Sequence, residues 1–115
     1  MVKEILRGDI FLINFDPAKW SEQGRVRPAL IIQNDISNQH SPLTIVAPIT
    51  SKIYQKDYPT NVIINKKESN LDKDSTILLN QIRAIDKSRV IKKLGSLKKE
   101  IMSKVDLAIN VSLGL

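Results

Sequence analysis

The sequence predicts a small, mostly antiparallel β barrel or twisted sheet with one helix packed on it at the C-terminal end. Three observations predict it. Short apolar, β-branched segments recur along the first three-quarters of the chain, each closed by turn residues. They do not alternate with long amphipathic helices, which excludes a doubly wound βαβ fold. Only after Gly95 does the apolar spacing change from that of a strand to that of a helix. A length of 115 residues fits one domain, residues 1–115, and 42% hydrophobic with 26% charged residues marks a chain able to build a core.

The elements follow in order. Ile10–Phe15 (IFLINF) is apolar and ends at Asp16-Pro17. Ala29–Gln33 follows Pro28 and stops at Asn34-Asp35, a turn signal. Thr44–Ile49 contains Pro48, which has no N–H for a ladder, so this strand is expected at a sheet edge or bulged there. Asn61–Asn65 and Ser75–Leu79 are two further short strands, Gln81–Ile85 alternates polar and apolar, and Val90–Leu94 closes the set. Leu97, Ile101, Val105, Ala108, Ile109 and Ser112 then share one helical face, with Ser96 the expected N-cap. Lys52–Thr60, with Tyr54 and Tyr58, is the longest stretch without strand character, a length at which loops often carry function.

Composition excludes several chemistries. The absence of cysteine removes disulfides, thiolate metal sites and cysteine nucleophiles. The lone His40 argues against a histidine metal cage and is expected on the surface. The N-terminus lacks the apolar core of a signal peptide, and no apolar run approaches the ~20 residues of a spanning helix, so a cytoplasmic protein without membrane contact is expected. The net charge of +6 is unevenly placed: residues 1–82 carry ten Lys/Arg against nine Asp/Glu, while residues 83–104 carry eight against two. A concentrated excess of this kind suits a polyanionic partner, although a solvated helix face with a basic strand has the same composition.

Asp16–Pro28 (DPAKWSEQGRVRP) combines Arg25 and Arg27, which bind phosphate through a planar fork, with Trp20 as a stacking surface and Gly24 for backbone freedom. This is a plausible grip on single-stranded nucleic acid. Trp20 packed on the barrel with the arginines paired to Asp16 and Glu22 satisfies the same residues, and residue types alone do not choose.

The combined motifs resemble those of the MazF/PemK toxins, most closely the Gram-positive MazF branch. They are Arg7-Gly8-Asp9-Ile10, Asp16-Pro17, Ser21-Glu22-Gln23-Gly24, Arg27-Pro28-Ala29-Leu30-Ile31-Ile32-Gln33-Asn34-Asp35, Ser41-Pro42, Ala47-Pro48-Ile49-Thr50 and Asn80-Gln81-Ile82-Arg83-Ala84-Ile85-Asp86. The resemblance runs in register from about residue 7 to the C-terminal helix. It implies a mainly β fold with a C-terminal helix, an SH3-like barrel of the MazF/CcdB/Kid type, assembled as a homodimer. It implies a sequence-specific, metal-independent endoribonuclease of single-stranded RNA without cofactor, the toxin of a type II pair restrained by a MazE-like antitoxin. The family's catalytic arginine and threonine fall on Arg27 and Thr50. The loop Lys19–Val26, with Trp20, Ser21, Glu22 and Gln23, would gate or assist the site, and RNA contacts are expected at Arg25, Tyr58, Asn80, Gln81 and Arg83.

Family members use the substrate's 2′-hydroxyl as nucleophile, leaving a 2′,3′-cyclic phosphate and a 5′-hydroxyl. That reaction requires charge stabilisation at the phosphorane, which Arg27 supplies, and a donor to a non-bridging oxygen, which suits Thr50. Arginine is a poor general base, and Glu22 is an auxiliary candidate only. Trp20 stands where many relatives have Gly, and Asn80 where many have an acidic residue. The cations from Lys87 to Lys104 are expected to steer RNA or seat the antitoxin rather than form the site. A CcdB-like gyrase inhibitor and a non-catalytic nucleic-acid-binding domain are the competing readings.

Overall fold

The computed structural model describes residues 4–15, 26–54 and 58–115. Its strands are β1 (Asp9–Asn14), β2 (Val26–Ile31), β3 (Leu43–Thr50), β4 (Asn61–Ile64), β5 (Ser75–Leu78), β6 (Arg83–Asp86) and β7 (Val90–Ser96). They form a seven-stranded sheet in the order β4-β5-β3-β2-β1-β7, with β6 pairing β3, and every pairing is antiparallel. A C-terminal helix covers one side. The mainly β, antiparallel architecture expected from the sequence is the one observed. Among the described residues, no helix is long and apolar enough to cross a membrane.

Alternation builds two cores from the same strands. Successive side chains of a strand point to opposite faces. Ile10 of β1 and Leu30 of β2 pack with Ala47, Ile49, Val62, Ile64, Ile77 and Leu79 beneath the C-terminal helix, which contributes Ile101, Val105 and Ala108. Phe11 and Ile13 point the other way and join Ala29, Ile31, Val46, Ile85 and Val90. Burial of both faces explains why Ile10–Ile13 and Ala29–Ile32 are continuous apolar runs instead of alternating ones.

Pro48 corrects one expectation, since β3 is not an edge strand. On one side it pairs with β2, where Ala29 meets Pro48. On the other it pairs with β6 as far as Val46 and with β5 from Ile49 onward. Pro48 falls in the gap where β3 exchanges one neighbour for another, a place where a missing N–H disrupts no continuous ladder.

Two short helices add to the elements expected. α1 (Asp35–His40) is capped by Asn34, whose side chain accepts from the Ser37 N–H. α2 (Lys66–Ser69) carries a capping box: Asn65 accepts from the Glu68 N–H while Glu68 accepts from the Asn65 N–H. His40 ends α1 and is exposed, as expected. The C-terminal helix α3 (Lys99–Leu113) starts later than expected. Its N-cap is Lys98, not Ser96, because Ser96 still belongs to β7, where it pairs with Asp9 and donates Oγ to that carboxylate at 2.8 Å. Gln81–Ile85 is also divided: Leu79–Gln81 forms a 3-10 turn, and β6 begins at Arg83.

Candidate active site

The β2–β3 register brings the two expected catalytic residues together. Ala29 faces Pro48, Leu30 faces Ala47 and Ile31 faces Val46. Counting two residues beyond Ala29–Pro48 along both strands leads to Arg27 and Thr50. Both line a cavity of about 640 Å³ with Leu12 and Pro28 on its sheet side and Asn70, Leu71, Asp72 and Lys73 on the α2–β5 side.

Thr50 is held at both ends of its short segment. It pairs with Thr76 of β5. Its Oγ1 accepts from the Lys52 N–H at 3.2 Å, and Thr76 Oγ1 donates to the Lys52 carbonyl at 2.8 Å. A threonine hydroxyl both donates and accepts. With its oxygen engaged as an acceptor, the Thr50 hydroxyl proton remains available for a ligand oxygen.

Arg27 is exposed at the cavity. Among the described residues the ion pairs are Arg7–Asp106 and Lys93–Asp9, so no described carboxylate neutralises Arg27. Lys73 and Lys92 share the lining with it, against Asp72 as the carboxylate there. The cavity is therefore cationic and offers hydroxyl and guanidinium donors, an arrangement suited to a phosphodiester.

The remaining expected residues are distributed elsewhere. Tyr58 lies edge-on to Tyr54, with ring centroids 5.9 Å apart, and lines a second cavity of about 580 Å³ beside Lys104, Leu107 and Val111 of α3. Lys52 places its ammonium 4.8 Å from the Tyr54 ring centre. Asn80 and Gln81 are exposed in the 3-10 turn after β5. Arg83 starts β6 and stacks its guanidinium 5.3 Å from the centre of the Phe15 ring. None of these three lines the Arg27–Thr50 cavity. Trp20, Ser21, Glu22, Gln23 and Arg25 lie outside the described residues.

Lys73, Lys92 and Asp72 are lining residues that the sequence alone did not single out. Lys92 belongs to the basic stretch expected to steer RNA or seat the antitoxin, and the structure places it on the cavity lining, because β1 lies between β2 and β7 and its Leu12 pairs with Pro28 on one side and Lys92 on the other. No local signal marks this, since the contact depends on the register of the first strand with the last.

This cationic cavity lies on a seven-stranded antiparallel sheet that carries a C-terminal helix. The profile of the family described as PemK-like, MazF-like toxin of type II toxin-antitoxin system matches residues 6–113, and the chain belongs to that family. Solved structures agree. It is similar to an endoribonuclease from a Mycobacterial species at 20% identity and TM-score 0.80, covering 100% of this chain and 96% of the other. It is similar to MazF of Deinococcus radiodurans at 26% identity and TM-score 0.78, covering 99% and 100%. The MazE–MazF complex from the same organism matches at 25% identity and TM-score 0.81, covering 99% of each chain.

Proposed function

We propose that this chain is an endoribonuclease that cleaves single-stranded RNA as the toxin of its type II pair, with Arg27 and Thr50 as its catalytic residues. The observation that carries the reading is the meeting of these two side chains in one cationic cavity, from strands whose register leads to both. The membership of the chain in a toxin family and its likeness to an endoribonuclease and to MazF support it.

In this mechanism the RNA 2′-hydroxyl gives up its proton to solvent as its oxygen attacks the adjacent phosphorus, the bond from phosphorus to the 5′-oxygen breaks, and the leaving 5′-oxygen takes up a proton from solvent. The products are a 2′,3′-cyclic phosphate and a 5′-hydroxyl. Arg27 offsets the charge that builds on the non-bridging oxygens, and Thr50 donates its hydroxyl to one of them. The RNA itself supplies the nucleophile, so the chain's task is to position the phosphodiester and stabilise charge. Purified protein should cleave an unstructured RNA in EDTA, and Arg27→Ala should abolish cleavage while leaving the fold intact. Full activity in Arg27→Ala would refute this site. RNA binding without cleavage by the unaltered chain would instead identify a non-catalytic binding module.

The partners follow the same reading. A MazE-like antitoxin is the expected inhibitor, as in the Deinococcus radiodurans complex, and a cationic cavity suits an acidic segment that folds on binding. The toxin works in the cytoplasm as a single domain and as a homodimer. Leu107 and Val111 of α3 are 66% and 53% exposed, and Ile63 of β4 is 48% exposed, an apolar surface available for a second copy. A 13 kDa species in sedimentation at micromolar concentration would refute the dimer.

A further inference from the structure

We infer that Thr76 is a positioning residue for the cleavage reaction: by holding the Lys52 carbonyl it keeps the Lys52 N–H on Thr50 Oγ1, and so restricts the directions in which Thr50 can donate its proton. This rests on Thr50 being the donor in the RNA-cleaving cavity and adds to it the residue that orients the donor.

The contacts form a short, continuous chain. Thr50 is the last residue of β3 and pairs with Thr76 of β5, so the two threonines stand side by side on one face of the sheet. The strand ends there, and Lys52 finds its backbone partners in these two side chains. Its N–H donates to Thr50 Oγ1 at 3.2 Å, and its carbonyl accepts from Thr76 Oγ1 at 2.8 Å. One residue is thus clamped through both of its backbone groups by a cross-strand pair of hydroxyls. The bond to Thr50 is local and lies at the long end of the N–H···O range. The bond from Thr76 spans 24 positions and is the shorter of the two. Lys52 is exposed, so without the Thr76 bond its carbonyl would turn to water and its N–H would leave Thr50.

Burial separates the roles of the pair. Thr50 is half-buried and lines the cavity with Arg27. Thr76 is fully buried, is not among the residues of that lining and stands on the wall of the second cavity. It therefore acts on the reaction through Lys52 and not by touching RNA. A buried hydroxyl is costly unless it is hydrogen-bonded, and valine would fill the same volume without that cost. What the Thr76 hydroxyl adds is the bond to Lys52. The effect on Thr50 follows from the freedom of a hydroxyl, which rotates to suit its partners. An N–H held against its oxygen excludes the rotations that point the proton at Lys52, and leaves those that a ligand oxygen in the cavity can use. A donor oriented in advance needs no rearrangement when charge develops in the transition state.

The test is a double-mutant cycle on the full chain, read as single-turnover cleavage of an unstructured RNA oligonucleotide over a range of enzyme concentrations. Thr76→Val removes the hydroxyl and keeps the shape. It should lower the maximal rate ~10-fold, the size of one neutral hydrogen bond, and leave the enzyme concentration for half-maximal rate within about twofold. Thr76→Ala, smaller and also without a hydroxyl, should show the same loss, and Thr76→Ser should keep the rate of the unaltered protein. In a Thr50→Val background, Thr76→Val should change the rate less than about twofold, because the group it positions is already gone. Thr44→Val is the matched control: Thr44 is another fully buried threonine, and its Oγ1 donates to Asn38 Oδ1 at 2.8 Å with no link to Lys52. It should lower Tm and leave the rate unchanged. An equal loss of rate in Thr44→Val would overturn the inference, since any destabilised variant would then do the same. A loss from Thr76→Val that is as large without Thr50 as with it would also overturn it, because Thr76 would not act through Thr50. If Thr50→Val is fully active, the donor assignment fails and the inference with it. If Thr50→Val is slow while Thr76→Val keeps the full rate, only the positioning role fails.

Discussion

Thr50→Val isolates one hydroxyl from everything else at the site. Valine keeps the β-branched shape that a strand end favours, so the pairing of Thr50 with Thr76 should persist. The structural loss is the acceptor for the Lys52 N–H, a bond of 3.2 Å. Lys52 is exposed, and its N–H can bond water instead, which limits the stability cost to less than ~1 kcal/mol. The catalytic loss is larger. Removing one preorganised donor to a developing oxyanion costs ~10²–10³ in rate, and a neutral hydroxyl belongs at the lower end, about 10²-fold.

Single-turnover cleavage with enzyme in excess over a labelled RNA reads that step directly. Thermal unfolding in parallel reads the structural cost. The expected result is a rate lowered about 100-fold with Tm nearly unchanged, and substantial rescue by Thr50→Ser, which restores the hydroxyl. An unchanged single-turnover rate in Thr50→Val would refute the assignment of Thr50 as donor. A large fall in Tm would show that the Lys52 clamp carries more of the fold than its exposure implies.

Two further predictions concern the frame around the site. A Cβ at Gly95 would lie 2.3 Å from the Ser69 carbonyl oxygen and 3.2 Å from the Asn70 Cβ. Gly95→Ala should therefore force β7 and α2 apart at a cost of ~1–3 kcal/mol, read as a Tm several degrees lower, and should strain the hydrogen bond from Asn70 Nδ2 to the Leu94 carbonyl; a Tm equal to that of the unaltered protein would contradict the close approach. Asp86 accepts from the Ser88 N–H at 2.8 Å, and that hydrogen bond holds its carboxyl below its ordinary value of 3.8. A carboxylate with a depressed folded-state pKa contributes stability above the unfolded value and loses it as pH falls through the folded one. Asp86→Asn should thus be less stable than the unaltered protein at neutral pH, with the difference shrinking below about pH 4; a difference constant with pH would show that the charge plays no part.

Most of the sheet was legible because its segments are short, apolar and closed by turn residues. β1, β4 and β5 fall within a residue or so of the expected segments. The misreadings share a cause: local signals have two meanings. Asn34 is as good an N-cap as a turn residue, and α1 begins directly after it. Asn65 and Glu68 spell a capping box that a strand ending in Asn65 conceals. Pro48 suggests an edge because it lacks a donor, yet a strand can also spare a donor where its neighbour changes, and no property of residues 44–49 separates the two cases. Ser96 has the chemistry of a cap, but Asp9, far away in sequence, claims its hydroxyl.

The site divides along the same line. Arg27 and Thr50 were accessible through family resemblance, and the register of two adjacent strands then accounts for their meeting. Lys92 and Lys93 were not separable by composition: both belong to the same basic stretch, and strand alternation says only that they face opposite ways. Which of them faces the cavity depends on a one-residue bulge at Leu94, formed against a strand some eighty residues earlier. A net charge favours one kind of partner because Coulomb fields add irrespective of register. A binding position depends on parity, and a single inserted residue inverts parity for every side chain up to the next bulge. The excess of eight Lys/Arg over two Asp/Glu in residues 83–104 is therefore not one feature. Within it Lys93 pairs with Asp9, Arg83 stacks on Phe15 and Lys92 enters the cavity, and neutralising each should affect a different property: β1–β7 stability for Lys93, the Phe15 contact for Arg83, and RNA affinity for Lys92.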